Sequence, residues 1–474
     1  MIRVVQIVAV PAQGGYYAED LAALQAHPIP VLDRYTAAPV TPGFRAVRQP
    51  AEAVSVGLVL DGLPAGRQIV WGDCAGVAYG GKGGRDPVFY AAEGLAVIEQ
   101  IVGPALLGRE LTGFREVAAE LDSQIASAQI RMPDDAPRAE GGSGRLSRRE
   151  ALSPLNLLRA VREEMTRSPA EALPPMPVRR QHTAVRYGIS QALLAAAALA
   201  RGVTMAEVIA DEWGLPPPDA PIPIHAQSGG ERYHNADKMI VRRAASLPHA
   251  LVDDIPDQLG RDGSRLVQYV RWLKERIGRL AGEDYRPVLH LDVHGALGRI
   301  SGDEPGRVLG HLYALEQAAK PYPLRVECPV MMDSRAAQIE MMKTLRGYVR
   351  ARRMSVQLVA DEWADTLEDI QAFIEAGAAD MIQIKMPDLG GLHHAVEAVL
   401  ACRAGGVGAL LGGSCAETDL SARISVHVAL ATRPDAILAK PGMGVDEGMM
   451  LVHNEMARTL AWIRARQAEA VRPS

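Results

Sequence analysis

Cysteine is nearly missing: 4 residues in 474, Cys74, Cys328, Cys402 and Cys415, scattered and without a CxxC pair. That excludes a disulfide framework and a cysteine-based structural zinc site, and it suits a reducing compartment, so a cytoplasmic location is expected. Aromatic residues are equally sparse at 4%. With 48% hydrophobic residues a large core can still form, filled by Leu, Val, Ile, Ala and Met. No run approaches the roughly 18 apolar residues of a membrane span. The apolar start, Met1 to Pro11, is too short for a signal sequence with its cleavage site, and the alanine-rich run 192–200 reads as a helix. Strong charge of one sign is absent too. A net charge of −5 argues against nucleic acid or an anionic membrane as partner, while a small anionic substrate stays open because local fields decide that.

Three textures follow one another along the chain. Up to about residue 130, strand-like pieces (2–10, 54–60, 68–71) mix with a helical one (87–102), as in an α+β domain. Residues 131–181 are rich in Pro, Arg and Glu and carry the run Gly141-Gly-Ser-Gly144, which reads as a partly ordered insertion. Inside it, Ser153-Pro154 has the signature of a helix start. A helix over 183–201 should stop at Gly202. From residue 221 short apolar strands recur at 221–227, 238–242, 287–293, 324–330, 356–362, 381–386, 409–414 and 436–441, most of them separated by amphipathic helical stretches such as 336–352 and 367–376. Thr366 and Asp369 form a capping-box pattern before the latter. Eight strands alternating with helices predict a (β/α)₈ barrel over 221–474, capped by an N-terminal α+β domain over 1–220. The first two strands leave no room for a helix between them, so irregularity is expected there. The competing fold is an open doubly wound sheet, but no GxGxxG fingerprint opens a βα unit.

Barrel enzymes act at the carboxyl ends of their strands. Three acids stand there on consecutive strands: Asp292 in His-Leu-Asp, Glu327 in Val-Glu-Cys and Asp361 in Ala-Asp-Glu, each about 35 residues, one βα unit, from the next. A single such acid would be read as a helix cap or half of an ion pair. Three converging carboxylates repel one another unless a cation binds them, and hard oxygen ligands suit Mg²⁺. On the next strand, Gln383 and Lys385 share a face by alternation. A lysine inside a barrel is costly unless it is paired or functional. It either pairs with one of the acids or serves as a base, its pKa lowered by a nearby cation.

The segments Leu358-Val-Ala-Asp-Glu-Trp363, Gln383-Ile-Lys-Met-Pro-Asp-Leu-Gly-Gly391, Gly412-Gly-Ser-Cys-Ala-Glu-Thr418 and Lys440-Pro-Gly-Met-Gly-Val-Asp-Glu-Gly448 closely resemble methylaspartate ammonia-lyases of the enolase superfamily. So do Gly83-Gly-Arg-Asp-Pro87, His182-Thr-Ala-Val-Arg-Tyr-Gly188 and Leu247-Pro-His-Ala-Leu251, and the likeness spans nearly the whole chain outside 131–181. The resemblance implies reversible anti elimination of ammonia from 3-methylaspartate to give mesaconate. It implies Mg²⁺ on Asp292, Glu327 and Asp361, with a monovalent cation such as K⁺ as a further candidate. It places the base for the (2S,3S) substrate on Lys385 and a second acid/base, on the opposite face, on His249. From residue type alone His249 would be an ordinary loop or core histidine. Substrate contacts fall on Gln227, Gln383 and Cys415, and on Ser414 where the family has threonine, with Leu438 lining the pocket. A homodimer is implied as well, and residues 79–85, with four glycines, would form a mobile loop of the cap. Two rival readings stay open: a related lyase or dehydratase acting on another amino or hydroxy dicarboxylate, and a barrel that only binds.

The chain departs from the family at several pocket positions. Ala78 stands in place of a glutamine, His225 of a phenylalanine, His294 of a tyrosine, and Leu410 and Leu411 of a tyrosine and a glutamine. By alternation with Gln227, His225 should look into the site. These changes either repack the pocket around the same substrate or adapt it to an aspartate relative with another 3-substituent or to a hydroxy acid. Losing a hydrogen bond to a charged group costs roughly 1.5–3 kcal/mol. Weak activity on 3-methylaspartate is therefore expected, partly restored by combining Ala78→Gln with His225→Phe. Measuring kcat/KM for 3-methylaspartate, 3-ethylaspartate, aspartate and 3-methylmalate checks it; a clear optimum of about 10⁴ M⁻¹s⁻¹ or more on 3-methylaspartate rules out an altered substrate.

Overall fold

A computed structural model describes residues 2–26, 29–111, 113–128, 181–252, 254–442 and 445–470. The helix expected from Ser153-Pro154, the glycine run 141–144 and the 131–180 stretch lie outside these residues.

The N-terminal part is built on a four-stranded antiparallel sheet in the order β3-β2-β1-β4, with β1 Ile2–Glu19, β2 Arg48–Asp61, β3 Gln68–Ala75 and β4 Glu110–Leu111. β1 outruns the expected 2–10 strand. Its pairing with β2 resumes beyond a register shift between Gln13 and Tyr17 and continues to Glu19. At that irregularity the backbone touches the barrel. The Gly15 N–H donates to the carbonyls of Ala416 and Glu417 at 3.2 and 2.9 Å. A Cβ on Gly15 would lie 2.6 Å from both Glu417 O and Pro441 Cβ, so only glycine fits.

The helix Thr183–Arg201 covers this sheet and ends, as expected, at Gly202 in the left-handed conformation (φ 62°). It is buried along most of its length because it is sandwiched, and its contact with β3 is backbone to backbone. A Cβ on Gly188 would lie 2.4 Å from the Cys74 nitrogen and sulfur, and one on Gly72 would lie 2.1 Å from Gly188 O.

The second half closes into an eight-stranded parallel barrel. Its strands are β5 Ile224–His225, β6 Ser246–His249, β7 Val288–Asp292, β8 Leu324–Glu327, β9 Gln357–Ala360, β10 Met381–Ile384, β11 Gly408–Leu411 and β12 Ala436–Leu438, in the circular order β10-β11-β12-β5-β6-β7-β8-β9. Closure through the β12–β5 pair removes the open-sheet alternative. One expected strand is overturned. Residues 238–242 end a helix, Arg232–Val241, and the second strand is Ser246–His249. Arg232, Asn235, Ala236, Met239 and Ile240 are the buried positions of that helix, a helical stripe that the short run Met239-Ile-Val disguises. Ser246-Leu-Pro-His lacks β-branched residues and contains proline, yet all four of its residues are buried. A helix therefore does separate β5 from β6, and the expected irregularity disappears. The capping box holds: Asp369 N donates to Thr366 Oγ1 and Thr366 N to Asp369 Oδ2, both at 3.1 Å. Among the described residues no single helix is long and apolar enough to cross a membrane.

Since the Gly188–Gly72 crossing has no space for a methyl group, Gly188→Ala should cost about 3 kcal/mol, the upper end for overpacking a closed core. A chemical-denaturation midpoint within error of the unaltered chain would refute that.

Candidate active site

A cavity opens at the carboxyl ends of the barrel strands, with Tyr16, Ala78, Tyr79 and Arg85 of the N-terminal part on one side. Parallel register gathers the three sequence-predicted acids at the carboxyl ends of neighbouring strands, Asp292 level with Glu327 and Asp361 two residues beyond Val359, the partner of Glu327. Asp292 ends β7 and pairs with Glu327, which ends β8, and Asp361 directly follows β9. All three are buried, at 1%, 0% and 2% exposure. An oxygen of Asp292 lies within 4.8 Å of one from Glu327 in a group that also holds His249, and within 4.8 Å of one from Asp361 in a group that holds His294. Lys385 Nζ donates to Asp361 Oδ2, and Gln383 Nε2 to Glu327 Oε1.

His249 sits across the barrel from Lys385. β6 and the end of β10 are four strands apart in either direction, and both side chains line the cavity. His249 Nε2 is 3.5 Å from Asp292 Oδ2 and 3.7 Å from Glu327 Oε1. Gln227, Gln383, Ser414, Cys415 and Leu438 also line the cavity. Two of them are held in place: Gln227 donates to the Gly442 carbonyl at 3.0 Å, and Ser414 Oγ accepts from the Ala78 N–H at 2.9 Å. The backbone is left-handed at His249 (φ 65°), His294 (42°), Cys328 (45°) and Trp363 (65°), non-glycine residues at or just beyond the ends of β6 to β9. Such conformations persist only where the surroundings enforce them, and they gather at working sites.

His225 is placed differently from expectation. It lies on the inward face but one layer down, fully buried, its ring 5.4 Å from His249 and 4.4 Å from His290, and it does not line the cavity. Its Nδ1 meets Ser246 Oγ at 2.8 Å. Because β5 is only two residues long, Gln227 beyond its end already occupies the mouth. Leu410 packs deeper still, with Val359, Met381 and Ala436, and neither it nor Leu411 reaches the cavity. Of the five departures, only Ala78 and His294 do. Their layer is shared, for His294 packs edge-on against Tyr79 at 5.1 Å.

Residue typing missed several participants. Arg85, 1% exposed as a side chain, binds Asp361 (3.0 Å), Glu362 (3.2 Å), Asp388 (3.0 Å) and Asp365 (3.5 Å). The Gly83-Gly-Arg-Asp motif was its only signal. Under the loop bearing Ser414, a wholly buried ion pair joins Lys440 to Glu417 at 2.8 Å, and Tyr187 donates to the same carboxylate at 2.5 Å.

Electrostatics follow from this crowding. Six buried carboxylates (Asp292, Glu327, Asp361, Glu362, Asp365, Asp388) surround two fixed cations, Arg85 and Lys385. Burial and repulsion from Glu362 push Asp361 up to about 7. Burial opposes charge on Glu362 as well, yet the Arg85 guanidinium holds it down at about 2. For His294, attraction to Asp292 outweighs burial and raises it to about 9, its Nε2 lying 3.1 Å from that carboxylate. His249 is raised, burial being overcome by Glu327. Lys385 is raised too: burial and Arg85 oppose its charge, and Asp361 and Glu362 favour it more strongly. Asp292 is shared by two groups of donors within 4.8 Å of one another, one with Glu327 and His249 and one with Asp361 and His294, and carboxylate oxygens of this kind suit a hard divalent cation.

A family model described as methylaspartate ammonia-lyase C-terminus matches residues 217–465, and one described as the N-terminus matches 2–133 and 155–214. The chain belongs to the methylaspartate ammonia-lyase family. It is thus a carbon–nitrogen lyase by kinship. Methylaspartate ammonia-lyase 2 of Carboxydothermus hydrogenoformans is 42% identical, covering 98% of this chain and 99% of the relative. The Mg complex of β-methylaspartase from Clostridium tetanomorphum is similar at 39% identity and TM-score 0.79, over 98% of this chain and 100% of that one. Methylaspartate ammonia lyase of Citrobacter amalonaticus containing (2S,3S)-3-methylaspartic acid matches with the same coverage at 38% identity and TM-score 0.82.

Asp361→Asn keeps the shape of one proposed ligand and removes its charge. Divalent-cation binding should weaken by about tenfold or more and turnover nearly vanish, since a charged contact is worth over about 1.4 kcal/mol. Titration calorimetry checks the first effect. Activity that resists EDTA would sink the metal reading altogether.

Proposed function

We propose that this protein is a Mg²⁺-dependent lyase that reversibly eliminates ammonia from 3-methylaspartate to give mesaconate, with 221–474 as the catalytic barrel and 1–220 as its cap. The observation that carries the reading is the placement of Lys385 and His249 on opposite walls of one cavity, with the three acid-bearing strands β7, β8 and β9 between them. An anti elimination needs groups on both faces of the substrate, and a cavity with one proton acceptor on each wall supplies them.

Asp292, Glu327 and Asp361 would hold the cation, and the clostridial Mg complex supports Mg²⁺. A divalent cation there supplies positive charge beside a substrate carboxylate and so acidifies the adjacent C–H. Lys385 then takes the C3 proton onto Nζ, the C3–H electrons form the C2=C3 bond, and the C2–N pair leaves with ammonia. For this Lys385 must be neutral, and its raised pKa in the bare acid cluster is the obstacle. Positive charge on the three acids, together with Arg85 close by, works in the required direction. His249 serves the other face and the other diastereomer. Gln227, Gln383, Ser414, Cys415 and Leu438 orient the substrate, and β1 with residues 77–79 excludes water above it. His225 acts through His249 instead of touching substrate.

A related dicarboxylate as the natural substrate is favoured by one observation: Ala78, in the place of a glutamine, lines the cavity and offers it no side-chain polar group. As His225 is out of reach, any recovery on 3-methylaspartate should come from Ala78→Gln.

The roles separate by stereochemistry. Followed by ultraviolet absorbance of the unsaturated diacid, Lys385→Ala should lose (2S,3S) activity far more than His249→Ala, and the loss should fall on kcat because proton abstraction belongs to the transition state. Equal losses on both diastereomers in both variants would overturn the assignment.

A further inference from the structure

From the N-terminal part, Arg85 grips one of the proposed cation ligands, Asp361, directly. Its guanidinium fork spreads over three carboxylates at once: Nε donates to Asp388 Oδ2 at 3.0 Å, Nη1 to Glu362 Oε1 at 3.2 Å and Nη2 to Asp361 Oδ1 at 3.0 Å. A lysine, with a single ammonium, cannot reproduce that planar fork. The contact fixes Asp361 by one oxygen, and the other, Oδ2, is the one facing Lys385. Groups behind a metal ligand decide how it points and how tightly the ion is held.

The segment that delivers Arg85 is built to sit tightly against the same loop. Gly83 O accepts from the Trp363 N–H at 2.8 Å. A Cβ on Gly83 (φ 61°) would lie 2.8 Å from Glu362 Cγ, and one on Gly84 (φ 97°) would lie 2.5 Å from Asp365 Oδ2. Residues 83–85 are thus moulded onto 361–365.

Resting on the cation reading above, we propose that Arg85 is a positioning residue through which docking of the 83–85 segment sets the orientation of Asp361, so that cation affinity and loop docking are one linked equilibrium. Linkage is reciprocal: whatever docking adds to cation affinity, the cation returns to docking. The cap then does more than cover the cavity; it helps assemble the cation site before substrate arrives.

The test uses the full chain without substrate. Mg²⁺ affinity is measured by calorimetry for the unaltered protein, Arg85→Gln and Arg85→Lys, and backbone hydrogen exchange over 80–86 is followed with and without Mg²⁺. Affinity should fall roughly 10- to 100-fold in Arg85→Gln, the range seen when a group supporting a ligand is removed. Arg85→Lys should recover only part of it, and Mg²⁺ should slow exchange over 80–86 in the unaltered protein but not in Arg85→Gln. If Arg85→Gln does not fold, Gly83→Ala, which lifts the segment while keeping the guanidinium, must show the same weakening. Unchanged affinity in a folded Arg85→Gln, full recovery in Arg85→Lys, or exchange indifferent to Mg²⁺ would overturn the proposal while leaving the cation site standing. No Mg²⁺ binding by the unaltered protein would overturn both.

Discussion

Mutual repulsion among carboxylates that share a dry cavity is the constraint on which the rest of the molecule depends. Asp292, Glu327 and Asp361 lose their water when the barrel closes, and three more acids crowd behind them. Each buried charge without a partner would cost several kcal/mol. The fold answers from several directions. Arg85 comes from the N-terminal part, Lys385 from the end of β10, and His249, His290 and His294 from β6, β7 and the turn beyond β7. The lysine and histidine contacts lie within the barrel, whereas Arg85 reaches Asp361, Glu362 and Asp388 from the N-terminal part. The charge balance of the site therefore depends on both parts of the chain.

A second layer steadies the first. His290 meets Glu327 at 2.6 Å from inside the barrel, and the His225 ring packs against it at a tilt, with centroids 4.4 Å apart. On the substrate side, Glu417 ties together Lys440, Tyr187 and the Ser414 N–H at 2.8, 2.5 and 2.8 Å. The glycines of the Gly412-Gly413 turn make room for this. A Cβ on Gly413 would fall 2.0 Å from Glu417 Oε2, where no side chain could be tolerated. Buried polar networks of this kind are stable only when complete, and then they fix one geometry.

The barrel was legible because its signal is repetitive. Period-two apolar runs recur with helices between them, and seven of the eight expected strands overlap observed ones. The failure at 238–242 is instructive: a run of three apolar residues reads alike in helix and strand, and the true strand is short, polar at both ends and broken by proline. The acids were legible through their spacing, since one βα unit between them brings each to the carboxyl end of the next strand. Lys385 was legible through alternation. His249 was not, for nothing in Leu-Pro-His marks a strand end, and only resemblance pointed to it. The role of Arg85 could not be read from residue type, because its partners lie some 280 to 300 residues away, and only the Gly83-Gly-Arg-Asp motif marked it. His225, Leu410 and Leu411 were misjudged for depth: alternation tells which way a side chain faces, not how far below the rim it sits.

The circular strand order divides the barrel into two arcs. One continuous arc, β6 to β10, carries His249, the three acids, Gln383 and Lys385. The other, β11, β12 and β5, ends in Ser414 and Cys415, Leu438 and Gln227, and it is the arc on which β1 and Ala78 rest. Each strand is held by its neighbours' backbone, so a side chain can be exchanged on the second arc without moving the first. Under the roles proposed above, exchanges on one half of the rim alter the fit of the substrate while the groups that move protons keep their places on the other.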